Sequence, residues 1–128
     1  MRALLDTHAF LWWVNDDPRL STHCRSIISS GANEILFSAV SAWEIAVKAS
    51  IGRLVLPDKT EAYILDQLSR NRFDVLPVNV THALRVSLLP DHHKDPFDRM
   101  LVAQAQVEKV PILTADSQIA RYPVRVSW

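Results

Sequence analysis

Four acids stand where an apolar run gives way to a turn or a helix start. They are Asp6 in Leu4-Leu5-Asp6-Thr7-His8, Glu44 in Ser41-Ala42-Trp43-Glu44, Asp98 in Asp95-Pro96-Phe97-Asp98, and Asp116 in Leu113-Thr114-Ala115-Asp116. Gathered together, four carboxylates repel one another, and without a cation some are forced to take up protons. A hard ion with oxygen ligands resolves that conflict. With few or no His or Cys nearby, Mg2+ or Mn2+ fits better than zinc. Such an ion can lower the pKa of a water, align it with a phosphodiester and stabilise the departing oxygen. The chemistry on offer is metal-assisted hydrolysis.

That chemistry needs a fold that brings the four positions together. Arg2 to Leu5 reads as a short buried strand, followed by a helix over Ala9 to Val14. Asp17-Pro18 breaks the chain, and Ser21 can cap a helix running to about Ser30. Ile35-Leu36-Phe37 reads as a second strand. Ser38 or Ser41 caps the next helix, in which Trp43, Val47 and Ile51 share one face. Asp58 and Glu61 have capping-box spacing for a helix to about Arg70 carrying Ile64, Leu65 and Leu68. Val75 to Val78 is a weaker strand suited to an edge, because Pro77 cannot donate to a ladder. A helix over Thr81 to Leu88 follows.

Asp95-Pro96 is a helix start, with Asp95 as N-cap and Pro96 in the first turn, and Leu101, Val102, Ala105 and Val107 give the helix its apolar side. Ile112 to Thr114 is a fourth strand, Ser117 to Ala120 a short helix, and Val124 to Val126 a last edge strand. Gly31 and Gly52, the only two glycines, both follow predicted helices as stop signals. Strands alternating with helices imply an α/β fold, a three-layer α/β/α sandwich around a mostly parallel sheet. In such a sheet, strand C-termini and helix N-termini share one edge, where ligands bind. Asp6 and Asp116 follow strands, while Glu44 and Asp98 fall in first helical turns on that same edge.

Each acid also has a plain structural reading. Glu44 lies three residues after Ser41, and Asp98 three after Asp95, as capping-box partners would. Both complement a helix dipole, worth about 0.3–1 kcal/mol. Asp116 can cap the last short helix, and Asp6 can close an Asx turn. Four unrelated caps, however, have no reason to sit on the central elements of one edge.

Composition sets the outer bounds. At 128 residues, 48% hydrophobic and 22% charged, the chain reads as one soluble globular domain over 1–128. Ala9 to Val14 is too short to span a membrane, and Asp6-Thr7-His8 interrupts any signal sequence. A lone Cys24 excludes an internal disulfide, so a cytoplasmic location is the default expectation. Basic and acidic residues number 14 each, so global charge neither favours nor opposes a polyanionic partner.

Four segments in this order resemble a known family. They are Leu4-Leu5-Asp6-Thr7-His8-Ala9-Phe10-Leu11-Trp12, Ser41-Ala42-Trp43-Glu44-Ile45-Ala46-Val47-Lys48, Asp95-Pro96-Phe97-Asp98-Arg99-Met100-Leu101-Val102-Ala103-Gln104-Ala105, and Leu113-Thr114-Ala115-Asp116. Together they are similar to PIN-domain proteins, in particular the VapC-type ribonuclease toxins of toxin–antitoxin pairs, across essentially the whole chain. The resemblance implies a Mg2+- or Mn2+-dependent endoribonuclease that leaves a 5′-phosphate and a 3′-hydroxyl. It makes Asp6, Glu44, Asp98 and Asp116 the acidic quartet, with Thr7 and Thr114 supporting them through their hydroxyls. It also implies a homodimer, and a cognate antitoxin whose C-terminal segment fills a groove beside the site. Many relatives carry a further acid two residues beyond the last Asp. Gln118 stands there in this chain, which points to a single ordered ion.

Other residues carry competing readings. Asp95 is explained as an N-cap. His92-His93-Lys94 is either a solvated loop or a contact to RNA phosphates, and Arg99 either pairs with an acid or contacts phosphate. Trp12, Trp13 and Trp43 pack in the core or at a partner surface, or stack on bases. Adjacent Trp12 and Trp13 cannot both face one core. Two other functions compete with the nuclease. A phosphatase of the haloacid-dehalogenase type needs a second Asp two residues after the first, where this chain has His8. A catalytically inactive PIN-like or receiver-like interaction module shares the architecture. A receiver, though, wants a phosphoacceptor Asp after the third strand, where Val78-Asn79-Val80 stands.

Overall fold

The computed structural model describes residues 1–128. Five strands, β1 (Arg2–Leu5), β2 (Glu34–Ser38), β3 (Asp74–Leu76), β4 (Ile112–Leu113) and β5 (Val126–Ser127), form one sheet in the order β3-β2-β1-β4-β5. Every neighbouring pair is parallel. Six helices cover its two faces: α1 (Thr7–Val14), α2 (Thr22–Ser29), α3 (Ala39–Ser50), α4 (Thr60–Asn71), α5 (Val80–Arg85) and α6 (Pro96–Glu108). Strand alternation sorts the core into the two halves of a three-layer sandwich. Ala3, Leu5, Ile35, Phe37 and Leu113 face one helical layer, and Leu4, Leu36 and Ile112 the other.

The strand order places a topological switch between β1 and β4. The chain steps outward from β1 to β3, then returns to build β4 and β5 on the other side. Crossovers diverge there and leave a crevice beyond the strand C-termini. Asp6 follows β1 and Thr114 follows β4 across that seam, and the Asp6 amide donates to the Leu113 carbonyl at 3.2 Å.

Several elements differ in detail from the sequence expectations. Helix α1 begins at Thr7 rather than Ala9, because Asp6 is its N-cap and accepts the Ala9 amide at 2.6 Å. Ser38, not Ser41, caps α3, and its hydroxyl accepts the Val40 amide at 3.0 Å. Glu44 therefore sits in the second turn of α3 rather than at a capping-box position. The Trp43, Val47 and Ile51 face of α3 is exposed, while Val40, Ser41, Glu44 and Ile45 are buried.

Asp58 and Glu61 form no capping box, since α4 starts after Lys59 without a side-chain cap, and Leu65 on that helix is exposed. The helix expected to reach Leu88 gives way to a 3-10 turn at Val86–Leu88, and the last short helix is a 3-10 turn at Ile119–Arg121. The last strand lies slightly later than expected. Gly52, at φ +76°, does end α3.

One buried polar chain ties the sheet to α6. The Ser38 hydroxyl donates to Gln104 Oε1 at 2.5 Å, and Gln104 Nε2 donates to the Pro77 carbonyl at 3.2 Å. His82, with no solvent exposure, accepts the Asn79 amide at Nδ1, leaving Nε2 to donate to Glu108 at 2.9 Å. Every buried side-chain nitrogen and oxygen has a partner. That satisfaction fixes β2, the end of β3 and α6 against one another.

Candidate active site

Asp6 is 4% exposed, at the end of β1. Burial pushes its carboxyl above the ordinary range, while the Thr114 hydroxyl and the Ala9 amide hold it back. Thr114 donates to Asp6 Oδ2, and its own oxygen accepts the Asp116 amide at 2.9 Å. One hydroxyl thus joins two of the acids across the β1–β4 seam. Asp116 is half-buried, and its Oδ1 accepts the Gln118 amide at 2.8 Å. Gln118 itself turns away to accept from Arg121 at 3.0 Å.

Glu44 enters the same edge from α3 and is 4% exposed. The Thr7 hydroxyl lies 2.7 Å from Glu44 Oε1 and 2.9 Å from Ser41 Oγ. A carboxylate can only accept, so the single Thr7 proton goes to Glu44 and Ser41 donates to Thr7. Lys48, one turn along α3, pairs with Glu44 Oε2. Thr7 and Thr114 therefore each hold one acid, whereas Ser41 and Lys48 were not anticipated. The i,i+4 spacing of Glu44 and Lys48 was a signal that could have found the ion pair.

Asp98 lies in the first turn of α6, with its amide on Asp95 Oδ1 at 3.0 Å. Its carboxylate turns instead to His93 Nε2 at 3.2 Å. Its pKa is pushed up to about 6, first by burial and then by the charge of Asp95, with Asp116 and Glu44 adding to it and His93 opposing. The four acids thus share one electrostatic neighbourhood: Asp6 feels Asp116, and Asp98 feels Asp116 and Glu44. Arg99 pairs with none of them. Its guanidinium folds back to the Pro90 carbonyl at 2.9 Å and the Tyr122 hydroxyl at 3.1 Å.

The donors are carboxylate and hydroxyl oxygens, which suits Mg2+ or Mn2+ chemically. Burial raises the Asp98 carboxyl first, and the neighbouring acid charges that add to it are the part a cation would relieve. As the side chains stand, no three His, Cys, Asp or Glu groups are arranged to hold an ion. Glu44 is turned onto Lys48 and Asp98 onto His93.

Two recesses open beside the acids. One, of about 460 Å³, is lined by Thr7, Trp12, Arg19, Glu44, Lys48 and Arg53 among others. The second, of about 250 Å³, lies between Asp6, Asp116, His8, Trp12 and Arg19. A further recess of about 410 Å³, around Arg85, Lys109 and Arg125, is lined by none of the four acids. Trp12 lies under the Arg19 guanidinium at 4.9 Å and edge-on to Trp128 at 5.5 Å. Trp13 turns to Asn71 at 2.9 Å. The adjacent pair makes different contacts at its ring edges, yet both rings pack partly against the same core, contrary to the expectation that they could not.

A family model described as PIN domain matches residues 3–124. The chain belongs to the PIN-domain family. Its sequence is similar to Ribonuclease VapC16 of Mycobacterium tuberculosis (strain ATCC 25618 / H37Rv), 37% identical over 70 residues, 52% of this chain and 48% of that protein. Ribonuclease VapC22 of the same organism is 29% identical over 117 residues, 91% of this chain and 88% of that one. The chain thus spans about half the length of the first relative and most of the second.

Among solved structures, VapBC2 from Rickettsia felis, bound to a DNA fragment from its promoter, superposes with a TM-score of 0.73. That match has 14% identity and covers 99% of this chain and 98% of that one. VapBC-5 from Mycobacterium tuberculosis, described as a member of the VapBC family of toxin–antitoxin systems, gives 0.60 at 18% identity, covering 98% and 95%. At such identities these two show the fold. No helix is long and apolar enough to cross a membrane.

Proposed function

We propose that this PIN-domain chain, acting as one domain over 1–128, is a Mg2+- or Mn2+-dependent endoribonuclease and the toxin of a toxin–antitoxin pair, working in the cytoplasm. The observation that carries the reading is the Thr114 hydroxyl that joins Asp6 and Asp116 at the β1–β4 switch point, with Glu44 and Asp98 brought to the same edge by α3 and α6. Similarity to two proteins named ribonuclease VapC supports the activity. The recess beside Glu44, where Arg53 stands without an ion-pair partner next to the paired Arg19 and Lys48, supports a phosphodiester substrate. The VapBC likeness supports an antitoxin partner, and the exposed apolar α3 face of Trp43, Val47 and Ile51 offers a surface for that partner or for a homodimer.

In this reading Asp6, Asp98 and Asp116 would hold the ion, and Glu44 would orient a water beside it. The bound ion supplies a Lewis acid and a water of lowered pKa. Thr114 holds the Asp6 carboxylate and Thr7 the Glu44 carboxylate, each through a donated hydrogen bond. Arg19 and Arg53 would hold the flanking phosphates. A second reading, an inactive interaction module, is favoured by one observation: Lys48 already neutralises Glu44.

Incubation of the purified protein with a structured RNA tests the proposal. Cleavage with Mg2+ or Mn2+, arrested by EDTA and abolished in Asp6→Asn and Asp98→Asn with unchanged circular dichroism, is the expected result. Undiminished cleavage by both variants, or full activity in EDTA, would sink it. An inactive module would neither cleave nor bind Mn2+ in a calorimetric titration.

A further inference from the structure

The loop before α6 is pinned by contacts that the quartet alone does not explain. Tyr122, 3% exposed, places its hydroxyl 2.7 Å from His93 Nδ1. Arg99 donates to that same hydroxyl at 3.1 Å, to the Pro90 carbonyl at 2.9 Å and to the His93 carbonyl at 3.4 Å. The His92 ring packs edge-on against Tyr122 at 4.9 Å. His93 then reaches Asp98 Oδ2 through Nε2 at 3.2 Å. A loop of four exposed or half-exposed residues, Asp91 to Lys94, is thereby tied to the carboxylate of α6.

Proton accounting sets the direction of this chain. An Arg guanidinium only donates, so the Tyr122 oxygen accepts from Arg99. The single Tyr122 proton then has two candidate acceptors, His93 Nδ1 at 2.7 Å and the His93 carbonyl at 3.4 Å. The Asp98 carboxylate only accepts, so Nε2 carries the ring proton and donates to Oδ2, which leaves Nδ1 of the neutral ring to accept from Tyr122 over the shorter contact. The other Asp98 oxygen is left without a protein donor.

We propose that His93 is a positioning residue for Asp98, its ring locked as the Nε2–H tautomer by Tyr122 and Arg99 so that one carboxylate oxygen is held and the other is presented to a divalent cation. The inference rests on the reading of Asp98 as a metal-side carboxylate. It gives Arg99 a task unlike either sequence expectation: it acts on Asp98 through Tyr122 and His93. Partners of this kind, one step removed from the ion, commonly change metal affinity by roughly 10–100-fold when removed.

The test needs no RNA. Nitrogen NMR of the metal-free protein should show His93 Nδ1 unprotonated and Nε2 protonated. In Tyr122→Phe, which keeps the ring and the packing, that preference should weaken. In calorimetric titrations with Mn2+, His93→Leu should bind roughly tenfold or more weakly. His93→Gln, whose amide can still donate to Asp98, should recover most of the affinity. Thermal melts of each variant report folding separately. The opposite tautomer in the wild type, or equal Mn2+ affinity in His93→Leu and His93→Gln, overturns the positioning role while the metal reading stands. A wild type that binds no Mn2+ overturns both.

Discussion

The Thr114 hydroxyl donates to Asp6 Oδ2, joining residues 108 positions apart across the β1–β4 seam. Because Asp6 is almost fully buried, its charge depends on this donor and the Ala9 amide. Thr114→Val keeps the shape and removes the donor, and it also frees the Asp116 amide. It should destabilise the protein by about 1–2 kcal/mol, the usual worth of a buried hydrogen bond whose partner is left unpaired. Thr114→Ser should lose far less. Urea denaturation of the two variants compares them directly, and equal stability would refute this role for the hydroxyl.

Asp98 gives the protein a pH signature. Its carboxyl is pushed up from 3.8 to about 6, so the folded chain binds more protons than the unfolded chain between those values. The contribution of Asp98 to stability is therefore full below the lower value and is lost as pH rises through the upper one. Asp98→Asn should flatten this decline in EDTA and leave the metal-free variant roughly 1–3 kcal/mol more stable than wild type near neutral pH. A variant with the wild-type pH slope would contradict the assignment.

Lys48 neutralises Glu44 when no cation is present, and Glu44 is 4% exposed while Lys48 is about a third exposed. Lys48→Met keeps the stem and removes the charge. It should cost about 1–2 kcal/mol in EDTA, less than a fully buried pair would. If Glu44 turns toward a bound ion, Mn2+ should raise the melting temperature of Lys48→Met more than that of wild type. Equal Mn2+ shifts would place Glu44 outside the metal's reach.

The carriers of the site were legible because β-strand and cap signals are local. Asp95-Pro96 marked the start of α6, and Leu4-Leu5-Asp6 marked the end of β1. What holds the acids was only partly legible. The hydroxyls of Thr7 and Thr114 were expected, but Lys48 and His93 reach the acids, and Ser41 and Tyr122 back them through Thr7 and His93, by side-chain rotamers and loop geometry that periodicity does not encode. Ser38 was preferred over Ser41 as the α3 cap because β2 runs through Ser38, leaving its hydroxyl free for the Val40 amide and Gln104. The buried His82–Gln104 connection was missed for the same reason, since each residue alone reads as an ordinary polar helix position. Trp43, Val47 and Ile51 had helical spacing, but spacing does not tell an inward face from an outward one.

Arg53 offers the cleanest test of the substrate path. It lies just beyond Gly52, whose positive φ turns the chain at the end of α3, and it lines the recess beside Glu44 and Lys48. Its side chain has no ion-pair partner in the protein, whereas Arg19 is held by Asp17 through two hydrogen bonds at 3.1 and 2.8 Å. Arg53 is thus the cation whose charge is free for a phosphate. In an Asp98→Asn background, which on the proposed reading lacks turnover, Arg53→Ala should weaken binding of single-stranded RNA at every sequence tested. The slope of log affinity against log salt should fall by about 1, the change expected when one phosphate contact is lost. Arg19→Ala should also perturb Trp12, on whose ring it lies, so its effect should include a change in Trp fluorescence that Arg53→Ala lacks. An unchanged salt slope in Arg53→Ala would move the RNA path to another face of the domain.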